Sequence, residues 1–176
     1  MKRVLLSLVV LGWMGALVAS PAAAQKPRLS LGLGGVVPSG DYSTLDNAGW
    51  HLMGALDVGL PRSPLSVRAD LVYGQTNHQG GLLSGSTKLT GGTANAVYHI
   101  GAPMVPVKVY LLAGLGYYSV DISGTSQSKP AFDGGTGVAL GLGPMHIFGE
   151  ARFISVRTSN SATNFFPVTL GFTFGM

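Results

Sequence analysis

The feature that most constrains this chain is a repeated alternation: eight stretches of about ten residues in which apolar side chains take turns with small or polar ones. Successive side chains of a β-strand point to opposite faces, so such alternation describes a strand with one apolar and one polar side. A strand crossing a hydrocarbon layer at a tilt needs about 9–11 residues. Strands of this kind must close on themselves, because an open edge would leave backbone groups unpaired in hydrocarbon.

The pattern predicts strands over about Arg28–Val37, Gly49–Leu60, Leu65–Thr76, Thr87–Gly101, Val107–Asp121, Gly134–Gly143, His146–Arg157 and Phe166–Phe174. In the second, Trp50, Leu52, Leu56, Val58 and Leu60 oppose His51, Met53, Ala55 and Asp57. In the third, Val67, Ala69, Leu71 and Tyr73 oppose Ser66, Arg68 and Asp70, and in the fifth, Val107 to Leu115 oppose Lys108, Tyr110, Gly114 and Gly116. The apolar set of each strand is expected to meet lipid. Connections alternate too. Pro61–Pro64, Ala102–Pro106 and the region of Pro144 are short, whereas Pro38–Ala48, Asn77–Ser86, Ile122–Asp133 and Thr158–Phe165 are longer and polar. Short turns at one rim and longer loops at the other, with both termini at the turn rim, is the arrangement expected of an outer-membrane barrel.

Ahead of the strands, Lys2 and Arg3 precede an apolar run from Val4 to Val18 and the small residues Ala22, Ala23 and Ala24. This reads as a secretory signal peptide over residues 1–24, leaving residues 25–176 as a single barrel domain. The alternative, a transmembrane helix, needs a run of ~20 apolar residues. Removing the signal takes away two of the four net positive charges, and the remaining basic residues are scattered, so no nucleic-acid partner is expected. The absence of cysteine excludes disulfides and thiolate metal sites.

A soluble ligand-binding barrel of eight strands alternates as well. The character of the polar face separates the two. Charged residues are 10% of the chain, where an ordinary soluble domain has roughly 25%. The non-apolar positions are mostly Gly, Ala, Ser and Thr, and Gly alone accounts for 27 residues, suited to a narrow lumen with close approaches.

Three segments carry a family resemblance: Pro38-Ser39-Gly40-Asp41-Tyr42, Gly149-Glu150-Ala151-Arg152-Phe153, and the closing run from Phe166 to Phe174. In their order and spacing the chain resembles the small outer-membrane β-barrel family of Gram-negative envelopes, the porin-like and OmpA/OmpX-type barrels. The resemblance implies an eight-stranded antiparallel up-and-down barrel in the outer membrane, in contact with outer-membrane lipid and lipopolysaccharide. It also implies recognition of the C-terminal strand by the barrel-assembly machinery, although Gly175 and Met176 follow the last aromatic residue. No surface partner can be named, because loop-mediated binding has no spacing code.

Within this barrel Arg68 and Asp70 share one face of the third strand and Glu150 and Arg152 one face of the seventh, and His51, Asp57 and Lys108 can join them from other walls. Charges inside a membrane protein are costly unless paired, so this set is expected to form a lumen network that fills the barrel. The alternative is a narrow path for ions or small solutes. Trp50, Tyr73, Tyr117, Phe165 and Phe166 near the loop ends, with Tyr98, Phe172 and Phe174 toward the other rim, read as aromatic girdles.

Enzymatic readings find little support. A barrel lipid A deacylase would need His two positions before its serine, where Ser155 has Phe153, and a palmitoyl-type acyltransferase would need an N-terminal amphipathic helix for which there is no room. His146 and Glu150 share a face but lie ~13 Å apart at ~3.3 Å per residue, too far to share a metal. His78 and His99 are expected to be solvated or interfacial. The Gly-x-Gly sequences lack the third glycine and following helix of a nucleotide site. The expectation is therefore a non-enzymatic barrel without catalytic residue, metal or cofactor.

Overall fold

The computed structural model describes residues 26–39, 48–77, 86–101, 106–122, 125–157 and 162–175. The expected signal segment, His78 and the connections 40–47, 78–85 and 158–161 lie outside them. Eight strands follow in order: β1 (Arg28–Ser39), β2 (Gly49–Gly59), β3 (Leu65–Asn77), β4 (Ser86–Ile100), β5 (Val107–Ile122), β6 (Thr125–Leu142), β7 (Met145–Arg157) and β8 (Ala162–Gly175). Each pairs antiparallel with its neighbours, and β1 pairs with β8 from Arg28↔Gly175 to Ser39↔Asn164, closing the barrel. Closure leaves no free edge along the paired length, which is what hydrocarbon demands of a sheet.

Two tight connections among the described residues lie at the rim that also holds Arg28 and Gly175. In the turn between β6 and β7, Gly143 has φ 67°, a left-handed conformation that suits glycine, and Pro144 follows it. Between β2 and β3, Arg62 takes φ 56° between two prolines of the turn Pro61–Pro64.

The alternation assigns faces as the sequence implies. Leu31, Leu33, Leu52, Val67, Leu71, Leu111, Leu115, Val138, Val168 and Leu170 are exposed on the outer wall, and Leu71 and Leu115 are more than 70% accessible. Inside, alternate positions are buried, as in Met53, Ala55, Asp57 of β2 and Ser66, Arg68, Asp70 of β3. An apolar exterior over a polar interior inverts the ordinary globular arrangement and requires a lipid solvent.

Glycines seat the large interior rings. Tyr110 of β5 is in register with Gly137 of β6, and a Cβ on Gly137 would lie 2.2 Å from the ring. Tyr118 likewise lies over Gly91 of β4, where a Cβ would come within 2.3 Å. A ring laid across a neighbouring glycine fills space that no second side chain could share.

The largest correction to the expected strands concerns the third long loop. Ile122–Asp133 is not a loop: β5 runs to Ile122 and β6 starts at Thr125, with Ile122↔Thr125 in register. The register of β6 with β7 begins only at Ala131↔Val156, so among the described residues Thr125–Pro130 pairs with β5 alone. A ribbon rising beyond the lipid needs no apolar face, which removes the alternation signal. The missing N–H of Pro130 is tolerated on such an edge. The fourth expected loop is also shorter, because β8 begins at Ala162.

Candidate functional site

The lumen is built in three layers, and the middle one is ionic. Strands β3 and β7 stand opposite each other in the closed order and run in the same direction. Reading from the turn rim, β3 presents Arg68 then Asp70, and β7 presents Glu150 then Arg152, so each charge faces its opposite. Arg68 Nη1 donates to Glu150 Oε2 at 2.7 Å and Arg152 Nη1 to Asp70 Oδ2 at 3.1 Å. Along each strand Arg68 Nε donates to Asp70 Oδ1 at 2.8 Å, and Arg152 Nε donates to Glu150 Oε1. The four side chains thus form a closed square of alternating charge, all four buried.

Neighbouring walls complete it. Tyr110 donates its hydroxyl proton to Glu150 Oε2 at 2.8 Å, Asn95 Nδ2 donates to Asp70 Oδ2 at 2.6 Å, and Arg152 Nη1 also reaches Asp133 Oδ2 at 3.1 Å. The remaining guanidinium nitrogens, Arg68 Nη2 and Arg152 Nη2, lie 3.6 and 3.5 Å from Met53 Sδ. Buried guanidiniums and carboxylates with this many partners satisfy the condition under which such charges are tolerated out of water.

Sequence reasoning did not identify Asp133 or Asn95. Asp133 fell inside the supposed third loop, and Asn95 lies among the small residues of β4, where alternation is faint. The register supplies the reason they converge: Asn95 pairs with Gly114, and Gly114 with Asp133, so both flank a position without a side chain. Tyr110 was on the expected lumen face, and what its sequence could not show is the hydroxyl's aim at Glu150.

The other three residues expected in this network stand apart from it. His51 Nε2 bonds Thr169 Oγ1 at 2.7 Å, toward the loop end. Asp57 belongs to the turn-end layer, where it accepts from Arg28 Nη2 and from Ser66 Oγ, each at 2.7 Å. Lys108 lines a recess in that same layer and has no carboxylate partner among the described residues. Separation follows from position along the strands. Asp57 pairs in register with Arg28 and Arg68, and the Arg68 guanidinium is already committed to Asp70 and Glu150.

Apolar side chains dominate the loop-end layer, around the buried His51–Thr169 hydrogen bond. Val36, Met53, Val72, Leu89, Tyr118, Ala131, Ile154, Val156 and Phe165 pack into one cluster across the lumen. Phe165 was expected in the outer girdle but is 2% exposed and meets Tyr118 edge-on at 5.6 Å. Two adjacent strand residues cannot share a face, so Phe166 points out and Phe165 in. Trp50, Tyr73, Tyr117 and Phe166 are exposed near the loop rim, with Tyr98, Phe172 and Phe174 exposed toward the turn rim. Trp50 packs on Tyr73 at 5.9 Å and Phe166 on Phe153 at 5.1 Å.

One grouping looks nucleophilic. Ser66 Oγ lies 3.1 Å from His99 Nε2, with Asp57 nearby, and His99 is half-buried near the end of β4. In a catalytic triad the carboxylate orients the imidazole through its other nitrogen. Here Asp57 instead accepts a hydrogen bond from the serine hydroxyl, and the Arg28 guanidinium lies 3.4 Å from the same imidazole nitrogen that faces Ser66. The arrangement ties β1, β2, β3 and β4 together and lacks the carboxylate-to-imidazole contact of a triad. No group of three or more His, Asp or Glu side chains among the described residues could hold a metal ion.

No curated protein sequence matches the chain. Several solved structures are similar, three of them as follows. Ail, the attachment invasion locus protein of Yersinia pestis, is 19% identical with a TM-score of 0.54, covering 85% of this chain and 99% of that one. The N-terminal β-barrel domain of Pseudomonas aeruginosa OprF is 18% identical with a TM-score of 0.50, covering 86% and 100%. The outer membrane enzyme PagL is 16% identical with a TM-score of 0.52, covering 85% and 99%. At such identities the likeness carries the fold and not the activity. The family profile of the outer membrane protein beta-barrel domain matches residues 7–175. With its closed eight-stranded barrel and lipid-solvated exterior, the chain belongs to this outer-membrane β-barrel family.

Proposed function

We propose that the protein is a non-enzymatic structural and surface-interaction barrel whose lumen is closed to ions. The observation that carries this reading is the pair of cross-lumen bridges, Arg68 to Glu150 and Arg152 to Asp70, joining opposite walls beneath an apolar layer. An ion entering from the loop end would meet first a constriction lined by Val36, Leu89, Ile154 and Phe165, which disfavours water, and then charges already matched to one another. Surface contacts then fall to residues outside the lumen, at the loop rim. A surface role for that rim is in keeping with the fold shared with Ail, an attachment invasion locus protein. The rings of Trp50, Tyr73, Tyr117 and Phe166 at one rim, and Tyr98, Phe172 and Phe174 at the other, serve as interfacial anchors among outer-membrane lipid and lipopolysaccharide. Residues 1–24 act as the export signal, and β8 is the strand read by the assembly machinery.

The deciding experiment is conductance of the folded protein in a planar lipid bilayer. An electrically silent bilayer with confirmed insertion is expected. Steady, discrete conductance of the wild type would overturn the closed reading and establish a narrow channel.

A further inference from the structure

At the turn end of the lumen, below the ionic square, lies a recess of about 50 Å³ bordered by Arg28, Ser30, Lys108, His146 and Thr173, with Val97, Ala139 and Phe148 as its apolar parts. A cavity of this size exceeds the ~10–15 Å³ needed for one water. The charged groups that line it are Arg28, Arg68 and Lys108 against one carboxylate, Asp57. Arg28 is matched by Asp57 at 2.7 Å, and Arg68 by Asp70 and Glu150, which leaves the Lys108 ammonium without a carboxylate among the described residues. Two imidazoles, His99 and His146, stand at the same recess, and Ser30 and Thr173 contribute hydroxyls that hydrogen-bond to each other at 2.8 Å. Hydrogen-bond donors therefore converge from β1, β3, β4, β5, β7 and β8, while β2 offers the Asp57 carboxylate, engaged by Arg28 and Ser66, and β6 only Ala139.

An unmatched cation in a recess with low-dielectric walls concentrates anions from the adjoining solution. Lys108 supplies a compact charge with rotatable donors, and the hydroxyls and imidazoles can donate to further oxygens of one ligand. We infer that this recess is a binding site for a small soluble oxyanion of phosphate or sulfate type, entering from the turn side of the barrel. The side chains that border the recess all lie on the inward faces of their strands. The ligand is thus a free anion and not a lipid headgroup.

The test is a titration of the refolded full barrel, in a phosphate-free maltoside detergent, with inorganic phosphate. NMR signals of the Lys108 ammonium and of the His99 and His146 rings are followed. Saturable shifts at these residues are expected, with the dissociation constant raised about tenfold in Lys108→Gln and largely restored in Lys108→Arg. A parallel arm uses a short-chain phosphatidylglycerol. Shifts with the lipid but not with free phosphate would overturn the assignment, as would the absence of saturation or unchanged binding in Lys108→Gln. Should Lys108→Gln not refold, the wild type still decides the matter: movement at the loop-end Lys129 and Arg157 without movement at Lys108 and His146 would sink the proposal.

Discussion

Glu150 is the residue on which most of the lumen converges, because it accepts from Arg68, Arg152 and Tyr110 at once. Glu150→Ala would leave Arg68 with Asp70 alone and Tyr110 without its acceptor, in a place where water has poor access. Breaking a buried pair from one side commonly costs ~3–5 kcal/mol. The expected outcome is a loss of that size in denaturant unfolding followed by Trp50 fluorescence, and a loss under 1 kcal/mol would show that the network is not buried in the membrane. Tyr110 permits a finer comparison. Tyr110→Phe removes only a hydrogen bond to a carboxylate, ~1.5–3 kcal/mol. Gly137→Val places a Cβ 2.2 Å from the same ring and must displace it entirely. The glycine variant is therefore expected to unfold at lower denaturant than the phenylalanine variant, and the reverse order would refute the seat described for the ring.

At the scale of the strand, the two faces make opposite demands. Leu71 on β3 and Leu115 on β5 are the most exposed leucines of the outer wall, at 73% and 71%, and both lie in the middle of their strands. Replacing either with Arg is expected to destabilise the barrel by ~2–4 kcal/mol in lipid, while Arg at Phe174, at the turn rim, should cost ~0–1 kcal/mol. Equal tolerance at the three positions would argue against lipid on this face. The closing strand is subject to a stricter rule. Phe172 pairs with Leu31 of β1 and Ile147 of β7, so deleting residues 172–176 opens both seams at the turn rim. Such a truncation should fail to give the heat-modifiable band of an inserted barrel. A normal band would mean that β8 is dispensable for closure.

For the whole molecule the decisive property is that two seals of different chemistry lie in series. Charge matching closes the middle of the lumen and dewetting closes the loop end. Opening only the ionic layer should therefore leave the bilayer nearly silent. Glu150→Ala alone is expected to conduct far less than a variant that combines it with Ile154→Ser and Phe165→Ala, which would admit water to the loop-end half as well. If the single substitution already gave the conductance of the combined one, the apolar layer would be no barrier.

Alternation, strand length and the poverty of charge determine by themselves that this chain closes into an eight-stranded barrel with lipid outside. Each of these is a local property repeated along the chain, and the membrane enforces it at every strand. Local pattern also placed Arg68, Asp70, Glu150 and Arg152 on inward faces. It could not say how far each lies up the lumen, because height depends on the stagger between strands, which is a property of closure. The stagger sets Asp57 with Arg28 at the turn end, and it brings Asp133 and Asn95 to the ionic square around Gly114. Pattern failed outright in the ribbon Thr125–Pro130, whose Thr, Ser, Gln, Ser, Lys and Pro include no aliphatic or aromatic residue to alternate. Which residues face inward is thus written in a period of two, whereas which of them meet across the lumen is decided only when β1 finds β8.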